Sequence, residues 1–153
     1  MRIQIQQEPF DVGLQTRLLR ATADGQLDRR VGAVASFVGT VRDLNEGDVV
    51  KVLNLEHYPG MTESAIAEII KDAQQRWPLY AISVIHRIGP LRPADEIVWV
   101  GVASAHREAA LAACAFVMDF LKSRAPFWKK EELNAGSRWV SARDSDEEAL
   151  KRW

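Results

Sequence analysis

The chain has 153 residues, a formal net charge of −1, 47% hydrophobic and 27% charged residues, five Trp and a single cysteine, Cys114. That length fits one domain, residues 1–153, with a sizeable core, and the balanced charge argues against a general nucleic-acid binder, which carries a basic excess. One thiol excludes an intramolecular disulfide and points to a reducing, cytoplasmic setting. MRIQIQQEPF at the N-terminus has no h-region of a signal peptide, and the most continuous apolar run, AALAACAFVM (109–118), is about half a membrane span.

RIQIQ (2–6) alternates with period two and reads as a short strand. Residues 10–21 suit a short helix. VGAVASFVG (31–39) is apolar and strand-like, TVRDLNEGD (40–48) is a polar loop with turn residues Asn45 and Gly47, and VVKVLNLEHY (49–58) is the next strand. Pro59-Gly60 marks a turn, and Thr62 is placed to cap the helix that follows. That helix carries Ile66, Ile69, Ile70, Ala73 and Trp77 at spacings of three and four, until Pro78 stops it. YAISVIHRIG (80–89) and EIVWVGVAS (96–104) are two further strands, joined by the turn-rich GPLRPAD. A long helix spans 105–124. WKKEEL and SRWVSA form a hairpin around Ala135-Gly136, and an acidic helix around DSDEEALKRW closes the chain. Helices stacked on one sheet make a two-layer α+β sandwich.

Both ends of the long helix carry cations. With Ser104 as N-cap, His106 and Arg107 fall in the first turn, where the helix dipole disfavours positive charge. An anion docked on the free N–H groups accounts for them; a solvated Arg and a carbonyl-bonded His are the plainer account, and for two residues alone the favoured one. The helix body is apolar on most sides, which predicts cover from the chain's own sheet or from a partner chain, and Cys114 reads as an inert core thiol. At the far end, in FLKSRAPFWKK (120–130), Lys122, Arg124, Lys129 and Lys130 gather with no acid. Pro126 ends the helix, and the chain turning back there can aim Lys122 and Lys129 at one point, with Phe127 and Trp128 anchoring the turn. A cation-rich helix end followed by an ordinary strand is the alternative. Sixteen residues separate His106 from Lys122, about 24 Å along a helix. Either there are two anion sites, or a second copy brings its helix start to this helix's end.

Arg42 opens a polar loop after a strand, a setting for a functional side chain or an ordinary surface Arg. His57 and His86 read as hydrogen-bonded structural imidazoles. No spacing suggests a metal site, and no glycine-rich phosphate loop or serine nucleophile motif is present. Lys and Arg acting on anionic reactants remain as the chemistry.

LEHYPGMTE (55–63), IHRIG (85–89), SAHR (104–107), LKSRAPFWKKE (121–131) and RWVSAR (138–143) together resemble the large, catalytic subunit of molybdopterin synthase. The resemblance covers nearly the whole chain, least of all its first thirty residues. It implies an α/β hammerhead-type fold with an added small β subdomain. It also implies sulfur transfer to cyclic pyranopterin monophosphate (precursor Z) from the C-terminal thiocarboxylate of a small ubiquitin-like partner subunit, within a homodimer that carries a small subunit at each end. No cofactor or metal is implied. By position, the family's substrate-contacting loop matches Thr40, Val41 and Arg42, and its His-Arg pair matches His106 and Arg107. Its two functional lysines match Lys122 and Lys129, with Lys130 and Glu131 extending that contact, and an Arg supplied by the second subunit matches Arg143. Thr40 stands where some relatives carry Lys, so its contact is expected through the backbone.

Overall fold

The computed structural model describes residues 1–140 and 144–153. Its elements run β1 (Arg2–Gln6), α1 (Val12–Leu19), β2 (Ala33–Thr40), β3 (Leu44–Asn45), β4 (Asp48–His57), α2 (Met61–Arg76), β5 (Leu79–Arg87), β6 (Gly89–Leu91), β7 (Glu96–Ser104), α3 (Arg107–Arg124), β8 (Phe127–Leu133), β9 (Gly136–Val140) and α4 (Asp144–Leu150). The fold is α+β, with two sheets and four helices among the described residues.

The first sheet has strand order β1-β5-β7-β2; β1 runs parallel to β5 and the other pairs are antiparallel. Its two central strands read as nearly continuous apolar runs because both faces are covered. Ile82, Val84, Val98, Val100 and Val102 meet α2 and α3 on one face, in a core with Ile66, Ile70, Phe116 and Val117. The intervening Ile85, Trp99 and Ala103 pack with Phe10 and Leu19 at the ends of the α1 segment. Asp11 caps α1 by accepting from the Leu14 N–H at 2.8 Å. At the C-terminus the Trp153 ring packs edge-on to Trp77 and Phe116, with centroids 5.8 and 5.4 Å away.

The second sheet joins β3-β4-β8-β9, with β6 also paired to β4. β3 and β4 are linked by Glu46-Gly47, both at positive φ (54° and 88°), the geometry of a tight two-residue hairpin. The expected loop at 40–48 therefore contains a strand pair, and Asn45 lies in the strand opposite Asp48 rather than in the turn. GPLRPAD is likewise not only linker: Gly89–Leu91 pairs with β4.

Two expected caps are replaced. Gly60, not Thr62, is the N-cap of α2, and Glu63 folds back to accept from the Gly60 N–H at 2.7 Å. Thr62 is fully buried; its hydroxyl accepts from the Tyr58 N–H and donates to the Pro126 carbonyl, both at 3.0 Å. His106, not Ser104, is the N-cap of α3, and the Ser104 hydroxyl donates to the Pro78 carbonyl at 2.9 Å. Among the described residues no helix is long and apolar enough to cross a membrane.

Candidate functional site

The end of α3 and the start of β8 form one wall of a cavity of about 540 Å³ between the two sheets. α3 ends at Arg124; Ala125 is extended (φ −78°, ψ 126°), as proline after it requires, and Phe127 begins β8. The reversal puts Lys122 and Lys129 on the same cavity. Alternation along β8 then sorts the side chains. Phe127, Lys129 and Glu131 line the cavity, while Lys130 and Glu132 line a shallow groove on the opposite face. Trp128 also points away, 46% exposed and tilted against Tyr58, so it does not anchor the turn. Phe127 does: its ring stacks on His86 at 3.8 Å between centroids.

β2 and the segment after it supply the facing wall, with Phe37, Val38, Gly39, Thr40, Val41 and Arg42. The ladder to β7 slips between Gly39 and Thr40. A Cβ at Gly39 would lie 2.8 Å from Val98 Cγ1, so glycine lets the strand bend against β7 here. Past the slip, Val41 is pinned by two backbone bonds, its N–H donating to Asp95 and its carbonyl accepting from Ala94, both at 2.9 Å. Arg42 is thus held at the mouth of the cavity. The floor is apolar: a second irregularity, between Val50 and Val52, shifts the phase of β4 so that Val50, Leu53 and Leu55 face the same space.

The cavity carries Arg42, Lys122 and Lys129 against two acids, Glu131 and Asp146. Asp146, on α4, lies 3.7 Å from Lys122 Nζ. Glu131 is buried and accepts from Asn45 and Arg138. His86 lies on the wall, 7% exposed, with its Nδ1 donating to the Arg87 carbonyl at 2.8 Å. Burial pushes its pKa down to about 4 against the backbone bond that favours the charged ring; Lys129 and His57 push the same way as burial. The imidazole is neutral at pH 7, and its Nε2 is left as an acceptor. Cys114 is buried against the Val100 carbonyl and its pKa is pushed up to about 11 by burial, the environment of an inert thiol.

Of the residues picked out by sequence, Thr40, Val41, Arg42, Lys122, Lys129 and Glu131 meet at this cavity and Lys130 does not. His106 and Arg107 are exposed at the other end of α3, a helix length away, beside Glu108 in the first turn. Arg143 lies outside the described residues. Sequence reasoning did not place Asn45, Arg138 and Asp146 at or beside the cavity, and it read His86 as structural only. IHRIG offered no signal for that double role, because the stacking partner that places His86 at the wall, Phe127, is distant in sequence. Among the described residues no cluster of three His, Cys or carboxylate side chains suits a metal ion.

The family model described as MoaE protein matches residues 5–124. The chain is 56% identical over 151 residues to the molybdopterin synthase catalytic subunit of Ralstonia nicotianae, covering 99% of this chain and 83% of that one. The molybdopterin biosynthesis MoaE protein of Burkholderia ambifaria superposes with a TM-score of 0.83 at 48% identity, over 99% of this chain and 97% of that one. A likeness of fold, at 20% identity and a TM-score of 0.72 over 92% and 91% of the two chains, extends to a complex of subunit 1 and 2 of molybdopterin-converting factor from Helicobacter pylori. With a family match across most of its length and such identity end to end, the chain belongs to the MoaE family of molybdopterin synthase catalytic subunits.

Proposed function

We propose that this enzyme transfers sulfur to precursor Z, receiving it as the C-terminal thiocarboxylate of a small ubiquitin-like partner, in molybdenum cofactor biosynthesis. The observation that carries the reading is the convergence of Lys122 and Lys129, from different elements, on one cavity with Arg42 at its mouth. Both reactants are anions, and cations in a partly apolar cavity attract them more strongly than the same groups do in water. The only thiol of the chain is buried, with its pKa pushed up to about 11, which supports a sulfur supplied by a partner rather than carried on Cys114. The Helicobacter pylori fold neighbour, a complex of two subunits, supports a two-component assembly.

In each of two rounds, the thiocarboxylate sulfur attacks an oxygen-bearing carbon of the substrate. A C–S bond forms as a C–O bond of that carbon breaks, and the oxygen leaves on the opened phosphate ester or, protonated, as water. Water then cleaves the acyl–sulfur bond, leaving sulfur on the pterin and a carboxylate on the spent partner. Lys122 serves as general acid/base and stabilises the oxyanion of the hydrolytic step. Lys129 and Arg42 hold the thiocarboxylate or the pterin, and the backbone of Thr40 and Val41 borders it. His106, Arg107 and Arg143 hold the phosphate. Because His106 and Arg107 lie about 24 Å from Lys122 along α3, they come from the second copy in a homodimer.

Reconstitution with thiocarboxylated small subunit and precursor Z tests the reading. Molybdopterin should form, in a ratio of two spent partners per product. A folded complex that yields none would contradict it, as expected of a module that only docks a ubiquitin-like tail.

A further inference from the structure

A buried chain of polar contacts ends on Arg42. Asn45 and Glu131 are 7% and 6% exposed. Asn45 Nδ2 donates to Glu131 Oε1 at 2.7 Å, and Arg42 Nη2 donates to Asn45 Oδ1 at 3.2 Å. Arg138 closes the group from β9. Its Nε donates to Glu131 Oε2 at 3.1 Å, its Nη2 to the Asn45 carbonyl at 3.0 Å and its Nη1 to Asp48 Oδ2 at 2.9 Å. These contacts dictate the direction of the amide, nitrogen toward the carboxylate and oxygen toward the guanidinium. They also explain the amide itself: a carboxylate at position 45 would face Glu131 in a buried site, and an apolar side chain would leave Glu131 short of a donor.

We propose that Asn45 is a positioning residue for Arg42, clamped by Glu131 and Arg138, and that the clamp aims the guanidinium at an anion in the cavity. The tie to Asn45 uses one nitrogen of Arg42 and leaves the rest of its planar fork for a carboxylate-like or phosphate-like ligand. Arg138 thus acts through its neighbours rather than on the ligand, and Glu131 serves the site by orienting Asn45 rather than by touching an anion. The identity of that anion rests on the sulfur-transfer reading; the clamp does not.

The test compares wild type, Asn45→Ala, Asn45→Asp, Asn45→Asp/Glu131→Gln, Arg42→Ala and Arg42→Ala/Asn45→Ala in the reconstituted reaction, measuring kcat and KM separately. Asn45→Ala and Asn45→Asp should each lower kcat/KM roughly ten-fold, mainly by raising KM. Asn45→Asp/Glu131→Gln should recover most of the loss, because the amide introduced on β8 can donate to a carboxylate on β3 that still accepts from Arg42. Asn45→Ala should add nothing once Arg42 is alanine. Wild-type kinetics in the two single Asn45 variants, additive losses in Arg42→Ala/Asn45→Ala, or no recovery in a folded Asn45→Asp/Glu131→Gln would overturn the proposal. Nitrogen-15 relaxation of the Arg42 Nε–H group, without substrate, gives an arm free of activity. The group should be ordered in wild type and mobile in Asn45→Ala, and equal order in both overturns the clamp. Should wild type itself make no molybdopterin, the sulfur-transfer reading falls while this arm still decides the clamp.

Discussion

At its last turn α3 presents Lys122 to a walled cavity, opposite Asp146 and on the same space as Lys129 and Arg42. At its first turn His106 and Arg107 stand exposed, with no side-chain hydrogen bond capping the helix. The same kind of side chain is thus built into a site at one end and left bare at the other. The difference is not burial, since the Lys122 side chain is itself 52% exposed. It is convergence, with Lys129, Arg42 and Asp146 bordering the same space at one end and no such gathering at the other among the described residues. Under the proposed function, the finished end is the place of chemistry and the bare end is half of a contact that a second copy completes.

The largest effect expected is at the finished end. Lys122→Ala should lower the rate of molybdopterin formation by about 10²–10⁴-fold, the usual range for losing an acid/base or oxyanion group; wild-type rates in both Lys122→Ala and Lys129→Ala would remove both residues from the mechanism. The next concerns the cavity wall. His86 takes up its proton only near pH 4 when folded, against about 6.5 when unfolded. Its contribution to stability is therefore full above pH 6.5 and is lost as pH falls from about 6.5 through about 4, by up to about 3 kcal/mol. Urea unfolding between pH 7 and pH 4 should show that decline in wild type and a flatter profile in His86→Phe, which keeps the stacking on Phe127 but cannot titrate.

Thr62 ties α2 to the reversal that creates the cavity. Thr62→Val should cost about 2 kcal/mol by leaving the Tyr58 N–H and the Pro126 carbonyl without their partner, read as a lowered Tm, with activity falling through displacement of Lys129. At the bare end Arg107→Ala should leave Tm unchanged and lower kcat/KM about ten-fold through KM, as loss of one charge-assisted contact to phosphate. Smallest of all, Cys114→Ala should cost about 1 kcal/mol or less of stability and leave sulfur transfer intact; loss of turnover with a folded protein would show that the thiol takes part.

Periodicity made the larger elements readable. The Ile66, Ile69, Ile70 and Ala73 stripe, the apolar runs of β5 and β7, and the hairpin at Ala135-Gly136 each follow from local pattern. The break at Pro126 was readable for the same reason, since proline acts on its own neighbours, and it led to Lys122 and Lys129. β6 was not readable: three residues containing a proline become a strand only because β4 lies alongside. Nor were the caps, because Thr62 and Ser104 have capping chemistry but direct it to distant carbonyls, of Pro126 and Pro78. Trp128 and Phe127 are adjacent in sequence, and strand alternation sends them to opposite faces. Asn45, Arg138 and Asp146 come to the cavity region from β3, β9 and α4, so their roles depend on contacts spanning 86 residues in the case of Asn45 with Glu131.

Complementation between two impaired variants addresses the division of the site most directly. Lys122→Ala and the double variant His106→Ala/Arg107→Ala are mixed, allowed to exchange subunits, and assayed with thiocarboxylated partner at precursor Z well below KM, where each alone is about a hundred-fold or more below wild type. If α3 of one copy supplies the lysine and α3 of the other supplies the His-Arg pair, half of the randomly mixed dimers hold one intact site, and activity should return to about a quarter of wild type. Absence of any recovery, with exchanged dimers verified by native mass spectrometry, would contradict a site shared between copies and place the two ends of the helix in separate functions.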